Sequence, residues 1–182
     1  LVLVNSQAPK QSADFHVTEG HSRVLRHKEK IKTVSVANSE IADVVAITSD
    51  ELVVIGIDGD GGAYGEGAGH LLAAMRRNVN ITYLVHNNQV YGLTKGQASP
   101  TSERGFITKT TPQGAAPPLN PMALAIAAGA SFVSRGFAGD IEHLTRLIKL
   151  AIRHRGFALI DVLQPCVSFN DKNTYSWYRQ RV

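Results

Sequence analysis

"LVVIGIDGDGGAYGEGAGHLLAAMRRNVNITYLVHNN", Leu52 to Asn88, sets two apolar runs on either side of a glycine-rich turn and a helical segment. Leu52 to Ile57 suits a buried strand and ends in "GDGG"; "GAGHLLAAMRRN" reads as helix, and "ITYLVH" as a second buried strand. Strand, turn, helix and strand together make the repeating unit of a parallel sheet. Working outward, the alternation continues. A long loop rich in Gly, Pro, Ser and Thr runs from Asn87 to about Leu119, and "NPMALAIAAGA" then reads as helix, with Asn120 as its cap and Pro121 in the first turn. "SFVSRGF" is a strand, "DIEHLTRLIKLAIRH" puts Leu144, Leu147, Ile148, Ala151 and Ile152 on one helical face, and "FALIDVL" is a last strand. The predicted fold class is α/β: a doubly wound, mainly parallel sheet covered on both faces. Upstream, "IKTVSVAN", "DVVAIT" and "ELVVIGI" read as short strands of a strand-rich appendage, with Asn38 or Ser39 capping one helical turn through "EIAD".

Composition narrows the class. With 182 residues, 43% of them hydrophobic, the chain can bury a real core, as one domain or as a domain with an appendage. No apolar run approaches the ~20 residues of a membrane span, so a soluble chain without a membrane partner is expected. Starting at Leu1, it reads as a fragment or a processed product. Residues 57 to 182 hold 13 Lys/Arg against 8 Asp/Glu, an excess that suits polyanions; no aromatic-plus-basic pattern favours nucleic acid. The single cysteine, Cys166, excludes an internal disulfide and cannot by itself hold zinc or an iron–sulfur cluster.

Asp60 follows the first sheet strand and Asn87 and Asn88 follow the second, so all three belong at one carboxyl edge, where ligands of such sheets sit. Aspartate and asparagine offer the hard oxygen donors that magnesium prefers, alongside phosphate oxygens. Gly59, Gly61 and Gly62 let the backbone approach a phosphate, and the following helix points its N-terminus at the anion. A dinucleotide fingerprint would instead need G-x-G-x-x-G opening the helix. His70, on that helix, reads as a packing or hydrogen-bonding residue rather than a base.

GDG, 25 residues and NN is the diphosphate-binding motif of thiamine diphosphate enzymes, and "ITYLVHNNQVYGLTKGQASPTS", "TKTTPQGAAPPLNPMALAIAAGASFVSRGF", "GFALIDVLQPCVSFN" and "NTYSWYRQRV" resemble the beta subunit of 2-oxoacid:ferredoxin oxidoreductases. The resemblance runs from about Val54 to Val182, roughly 70% of the chain. It implies a sheet of the thiamine diphosphate-binding type, incomplete at its N-terminal end. It also implies Asp60, Asn88 and the carbonyl of Val90 as Mg²⁺ ligands, and Gly59, Gly61, Gly62 and Asn87 along the diphosphate. Leu93, Thr94 and Lys95 would line the substrate pocket, with Lys95 facing the substrate carboxylate. The implied reaction is oxidative decarboxylation of a 2-oxoacid, with coenzyme A as acyl acceptor and ferredoxin as electron acceptor, in the cytoplasm. The catalytic glutamate would come from a partner alpha or gamma subunit. Cys166 looks like the last of four thiolates around a [4Fe–4S] cluster; the family's other three lie in a segment this sequence does not spell, which leaves Cys166 an orphan buried thiol and the cluster unassembled by this chain alone. An acetolactate synthase-like decarboxylase is the neighbouring reading, and "YGLTKGQASPTS" and "PCVSFN" speak against it.

From about Phe15 to Gly56, "VTEGHSRVLRHKEKIKTVSVANSEIADVVAITSDELVVIG" resembles the N-terminal domain of pilus-type secretins. That divides the chain into a secretin-like segment over 1–55 and a thiamine-diphosphate-binding domain over 56–182. Secretin domains work in the periplasm, which favours a fusion or a divergent fragment over a bifunctional protein. Cofactor binding is expected to be weak unless the appendage restores the sheet's missing wall. The alternative function is a non-catalytic secretion-system interaction module.

Overall fold

A computed structural model of the chain describes residues 2–6, 12–15, 31–36, 42–46 and 52–182, with side chains from residue 55 onward. Strands β1 (Val2–Ser6), β2 (Ser12–Phe15) and β3 (Ile31–Val36) form an antiparallel sheet with β1 in the middle. Strand β4 (Ala42–Ala46) pairs antiparallel with β5 (Leu52–Gly59), Ala42 opposite Gly56 and Ala46 opposite Leu52. The helical turn expected through "EIAD" is therefore not made at Ala42 and Asp43, whose backbone is instead part of a ladder with β5; Glu40 and Ile41, like the proposed caps Asn38 and Ser39, lie outside the described residues.

After β5 the backbone turns helical at once. A π-helical turn, Gly62–Glu66, begins five residues before the helix start expected at Gly67 and leads into α1 (Ala68–Arg76), and its wide ring is closed by the Gly67 N–H donating to the Gly62 carbonyl at 2.7 Å. Side chains at Gly61 or Gly65 would run into the Tyr91 ring and hydroxyl, so glycine at both positions lets the ring lie directly against the turn's backbone.

Strand β6 (Ile81–Asn87) follows, then the long loop, which carries a two-residue hairpin of β7 (Val90–Tyr91) and β8 (Gln97–Ala98). Helix α2 (Pro121–Ala127) begins as expected, with Asn120 Oδ1 accepting the Ala123 N–H at 3.2 Å and Pro121 in the first turn. Strand β9 (Phe132–Phe137), helix α3 (Ile141–Arg153), strand β10 (Phe157–Leu163) and helix α4 (Tyr175–Arg179) complete the chain.

The main sheet has the order β4-β5-β6-β10-β9; β5, β6, β10 and β9 are parallel and β4 is antiparallel at the edge. Strand β10 lies between two neighbours, and six of its seven residues are buried, the pattern of a strand covered on both faces. Its side chains alternate. Phe157 and Leu159 join Leu71 and Met75 of α1 and Ala125 of α2, whereas Ala158, Ile160 and Val162 join Ala151 of α3, with Leu144, Ile148 and Ile152 packed beside them. Burying a side chain such as Leu159 stabilises by roughly 1.5–3 kcal/mol. Helices thus cover both faces, as the doubly wound reading requires. The register pairs Gly59 with His86 and Asn87 with Leu163, so β5, β6 and β10 end at one edge.

Candidate functional site

Asp60 stands directly after β5 and is buried. Its Oδ2 accepts the Thr101 hydroxyl at 2.7 Å, and its Oδ1 accepts the Asn88 N–H at 3.3 Å. The same Thr101 hydroxyl lies 2.8 Å from Asn87 Oδ1, so one proton serves two acceptors. Asn87 passes the network on by donating from Nδ2 to Asp161 Oδ1 at 3.0 Å. Asp161, wholly buried on β10, also accepts the Tyr64 hydroxyl at 2.8 Å and the Arg135 Nε–H at 2.8 Å. Side chains from the π-helical turn, β6, β9 and β10 thereby meet on one buried carboxylate. Among the described residues no buried side-chain polar atom lacks a partner.

Burial holds the Asp60 carboxyl above the ordinary carboxylate range, and the donors from Ser99, Thr101 and Asn88 offset this only in part. Folding therefore favours the protonated form more than the unfolded chain does, and stability is lost as pH rises from the unfolded value of 3.8 through the higher folded one. In Asp60→Asn that loss is absent, and the amide can donate to Thr101 and free its hydroxyl for Asn87. Without divalent cations, Asp60→Asn is expected to be more stable than the parent chain at neutral pH, with the gap closing on acidification; urea unfolding at several pH values measures it.

Asn88 bends the chain after β6: its Oδ1 accepts the Val90 N–H at 3.1 Å, and Gln89 between them has φ of 62°, a left-handed conformation that costs a non-glycine residue about 1 kcal/mol. The arrangement gathers one buried carboxylate, one amide oxygen and the start of β7 within a short span. Among the described residues, no three His, Cys, Asp or Glu side chains could share a metal, so any cation here would rely on neutral oxygens beside Asp60.

The expected phosphate contacts divide. Gly59 is exposed, with open space where a side chain would be, whereas Gly61 is filled by Tyr91 and Gly62 by the Asp58 carboxylate, which also accepts the Gly59 N–H at 2.7 Å and the Tyr83 hydroxyl at 2.9 Å. Asn87, expected along a diphosphate, has its amide buried in the network with Thr101 and Asp161. Leu93, Thr94 and Lys95 are exposed at the tip of the β7–β8 hairpin. His70 is exposed on α1, and Cys166 is a free, half-buried thiol where a buried one was expected. Sequence reasoning missed Thr101, Asp161, Arg135, Tyr64 and Tyr91. The signals available were a lone acid in "FALIDVL" and a lone base in "SFVSRGF", charges that apolar strands carry only when paired.

Residues 40–162 match the family model described as thiamine pyrophosphate enzyme, C-terminal TPP binding domain, and residues 11–59 match the one described as pilus formation protein N terminal region. A 2-oxoacid:ferredoxin oxidoreductase subunit beta from Sulfolobus sp is 53% identical over 139 residues, covering 76% of this chain and 46% of the relative. A 2-oxoglutarate oxidoreductase subunit from Mycobacterium tuberculosis is 48% identical over 132 residues, covering 72% and 35%. Among solved structures, the 2-oxoglutarate:ferredoxin oxidoreductase from Magnetococcus marinus, with 2-oxoglutarate, coenzyme A and succinyl-CoA bound, matches with a TM-score of 0.66 at 41% identity, over 67% of this chain and 42% of that one. The chain therefore spans less than half the length of these relatives. Among the described residues no helix is long and apolar enough to cross a membrane.

Proposed function

The chain belongs to the thiamine pyrophosphate enzymes, through their C-terminal TPP-binding domain, and from that premise we propose that it is the cofactor-holding part of a 2-oxoacid:ferredoxin oxidoreductase beta subunit. The observation that carries this reading is Asp60, a desolvated carboxylate at the carboxyl edge of the sheet, hydrogen-bonded to the turn that brings Asn88 and Val90 beside it. A buried carboxylate raised by desolvation gains most from a nearby divalent cation. Asp60, the Asn88 amide oxygen and the Val90 carbonyl would hold Mg²⁺, and the open space at Gly59 leaves room for phosphate oxygens. When bound, thiamine diphosphate supplies the carbanion chemistry for decarboxylating a 2-oxoacid.

This chain's residues do the holding. Thr101 and the Asn88 N–H orient the Asp60 carboxylate, and Asn87, anchored on Asp161, keeps Thr101 in place. Lys95, exposed beside Leu93 and Thr94, supplies a positive charge for a substrate carboxylate. Completing the reaction would require a partner alpha or gamma subunit bearing the catalytic glutamate, with coenzyme A and ferredoxin as acceptors and the cytoplasm as compartment. Cys166 would join a [4Fe–4S] cluster only with three further thiolates.

Isothermal titration with thiamine diphosphate and Mg²⁺ tests the proposal. Saturable binding that requires Mg²⁺ and is weakened at least a hundredfold in Asp60→Ala is the expected result, and no binding by a folded chain would overturn it. The match of residues 11–59 to the pilus protein family supports a second reading, in which the segment divided off at 1–55 is a non-catalytic secretion-system module. Capture of a secretin-type partner by the full chain, undisturbed by thiamine diphosphate, would favour it.

A further inference from the structure

Gln89 lies between Asn88 and Val90 and is fixed from both ends. Its carbonyl accepts the Ser102 hydroxyl at 2.5 Å, and that hydroxyl oxygen in turn accepts the Ser99 N–H at 2.8 Å. Its side-chain Oε1 accepts from the Asn173 amide and from the Tyr178 hydroxyl, the latter at 3.3 Å. Both donors come from more than 80 residues further along the chain, and both are buried. The Asn173 N–H donates to Asn170 Oδ1 at 3.2 Å, and the Tyr178 ring packs against Phe137 and Trp177 at 5.7 and 4.8 Å between centroids. Left-handed backbone at a non-glycine residue persists where its surroundings over-determine it, and here two remote segments do so at one position.

We propose that Gln89 is the positioning residue of the ligand-bearing turn, and that the C-terminal segment around α4 is its support, so that Asn173 and Tyr178 set the placement of Asn88 and Val90 relative to Asp60. This rests on the reading of Asn88 and Val90 as magnesium ligands. Neither Asn173 nor Tyr178 touches the cation in this scheme; each acts through Gln89. Outer supports of this kind typically change metal affinity ten- to a hundredfold when removed.

The test uses the full chain and its Gln89→Ala, Asn173→Ala and doubly substituted variants. Two quantities are read: the Mg²⁺ concentration that gives half-maximal thiamine diphosphate binding, and amide hydrogen exchange across residues 88–91 without metal. Each single variant is expected to raise the Mg²⁺ midpoint at least tenfold and to speed exchange at the Val90 amide, while amides of β10 keep their protection. The double variant is expected to be no worse than the more affected single, because both cut one link. Unchanged midpoints, additive losses, or an exchange increase spread over the whole sheet would each overturn the proposal. Should Asn173→Ala fail to fold, Gln89→Ala and Tyr178→Phe carry the same comparison. If the parent chain binds no cofactor, the functional reading fails by itself, and unaltered exchange at residues 88–91 in Gln89→Ala would still overturn the positioning role.

Discussion

Asp161→Ala is expected to destabilise the chain by about 3 kcal/mol, a large part of the 5–15 kcal/mol that holds a typical domain folded. Three donors lose their acceptor at once: the Tyr64 hydroxyl, the Asn87 amide and the Arg135 guanidinium. Tyr64 cannot relieve the loss by ionising. Burial first and the Asp161 charge second push its hydroxyl far above the ordinary phenol range, so it stays a donor. Arg135, 39% exposed, can turn to water, which places the cost at the low end for a broken buried pair. Asp161→Asn, which keeps an acceptor for Tyr64, should cost clearly less. Urea unfolding of the three proteins measures the difference, and equal stabilities for parent and Asp161→Ala would remove the network from the fold's support.

Gly61→Val is expected to abolish cofactor binding and to lower stability by about 1–3 kcal/mol, the usual cost of forcing atoms into filled space. The added side chain meets the Tyr91 ring, and Tyr91 adjoins Val90 in the same two-residue strand. The displacement is therefore delivered to the turn that carries the proposed ligands. Pairing the change with Tyr91→Ala empties that space and should recover most of the lost stability, whereas Tyr91→Phe should not, because the collision is with ring carbons rather than the hydroxyl. Thermal unfolding and Mg²⁺-dependent titration of the single and double variants decide the matter; an unaffected Gly61→Val would show that the ring yields freely.

Much of the architecture was legible because it depends on local pattern. Apolar runs located β5, β6, β9 and β10, Asn120 and Pro121 marked the start of α2, and the 3.6-residue spacing of Leu144, Ile148 and Ile152 identified the buried face of α3. Asp60 and Asn88 were legible as neighbours since parallel strands end at one edge. Thr101 was not, because its hydrogen bond to Asp60 spans 41 residues of chain and follows from the path of a loop that no periodicity describes. The setting of the π-helical turn was missed for a related reason: the Tyr91 ring that packs against its glycines arrives 25 residues after Glu66. Thr174 before "YSWYR" was a readable cap for α4, accepting the Trp177 N–H at 3.3 Å, but five residues are too few for a helical period to stand out.

The two family matches overlap over 40–59, the stretch that holds both strands of the β4–β5 hairpin. Severing the chain after residue 55 would leave Gly56–Gly59 as a stub, without its β4 partner, and take from β6 the residue paired with Thr82. Unpaired rims of that kind recruit strands from other molecules. For anyone trimming this protein to its C-terminal portion, a start at residue 40 should yield monodisperse material, and a start at residue 56 self-associating material, in light scattering. The boundary that a family match draws is thus not the boundary at which the sheet can be cut: a shortened chain has to carry the hairpin whole.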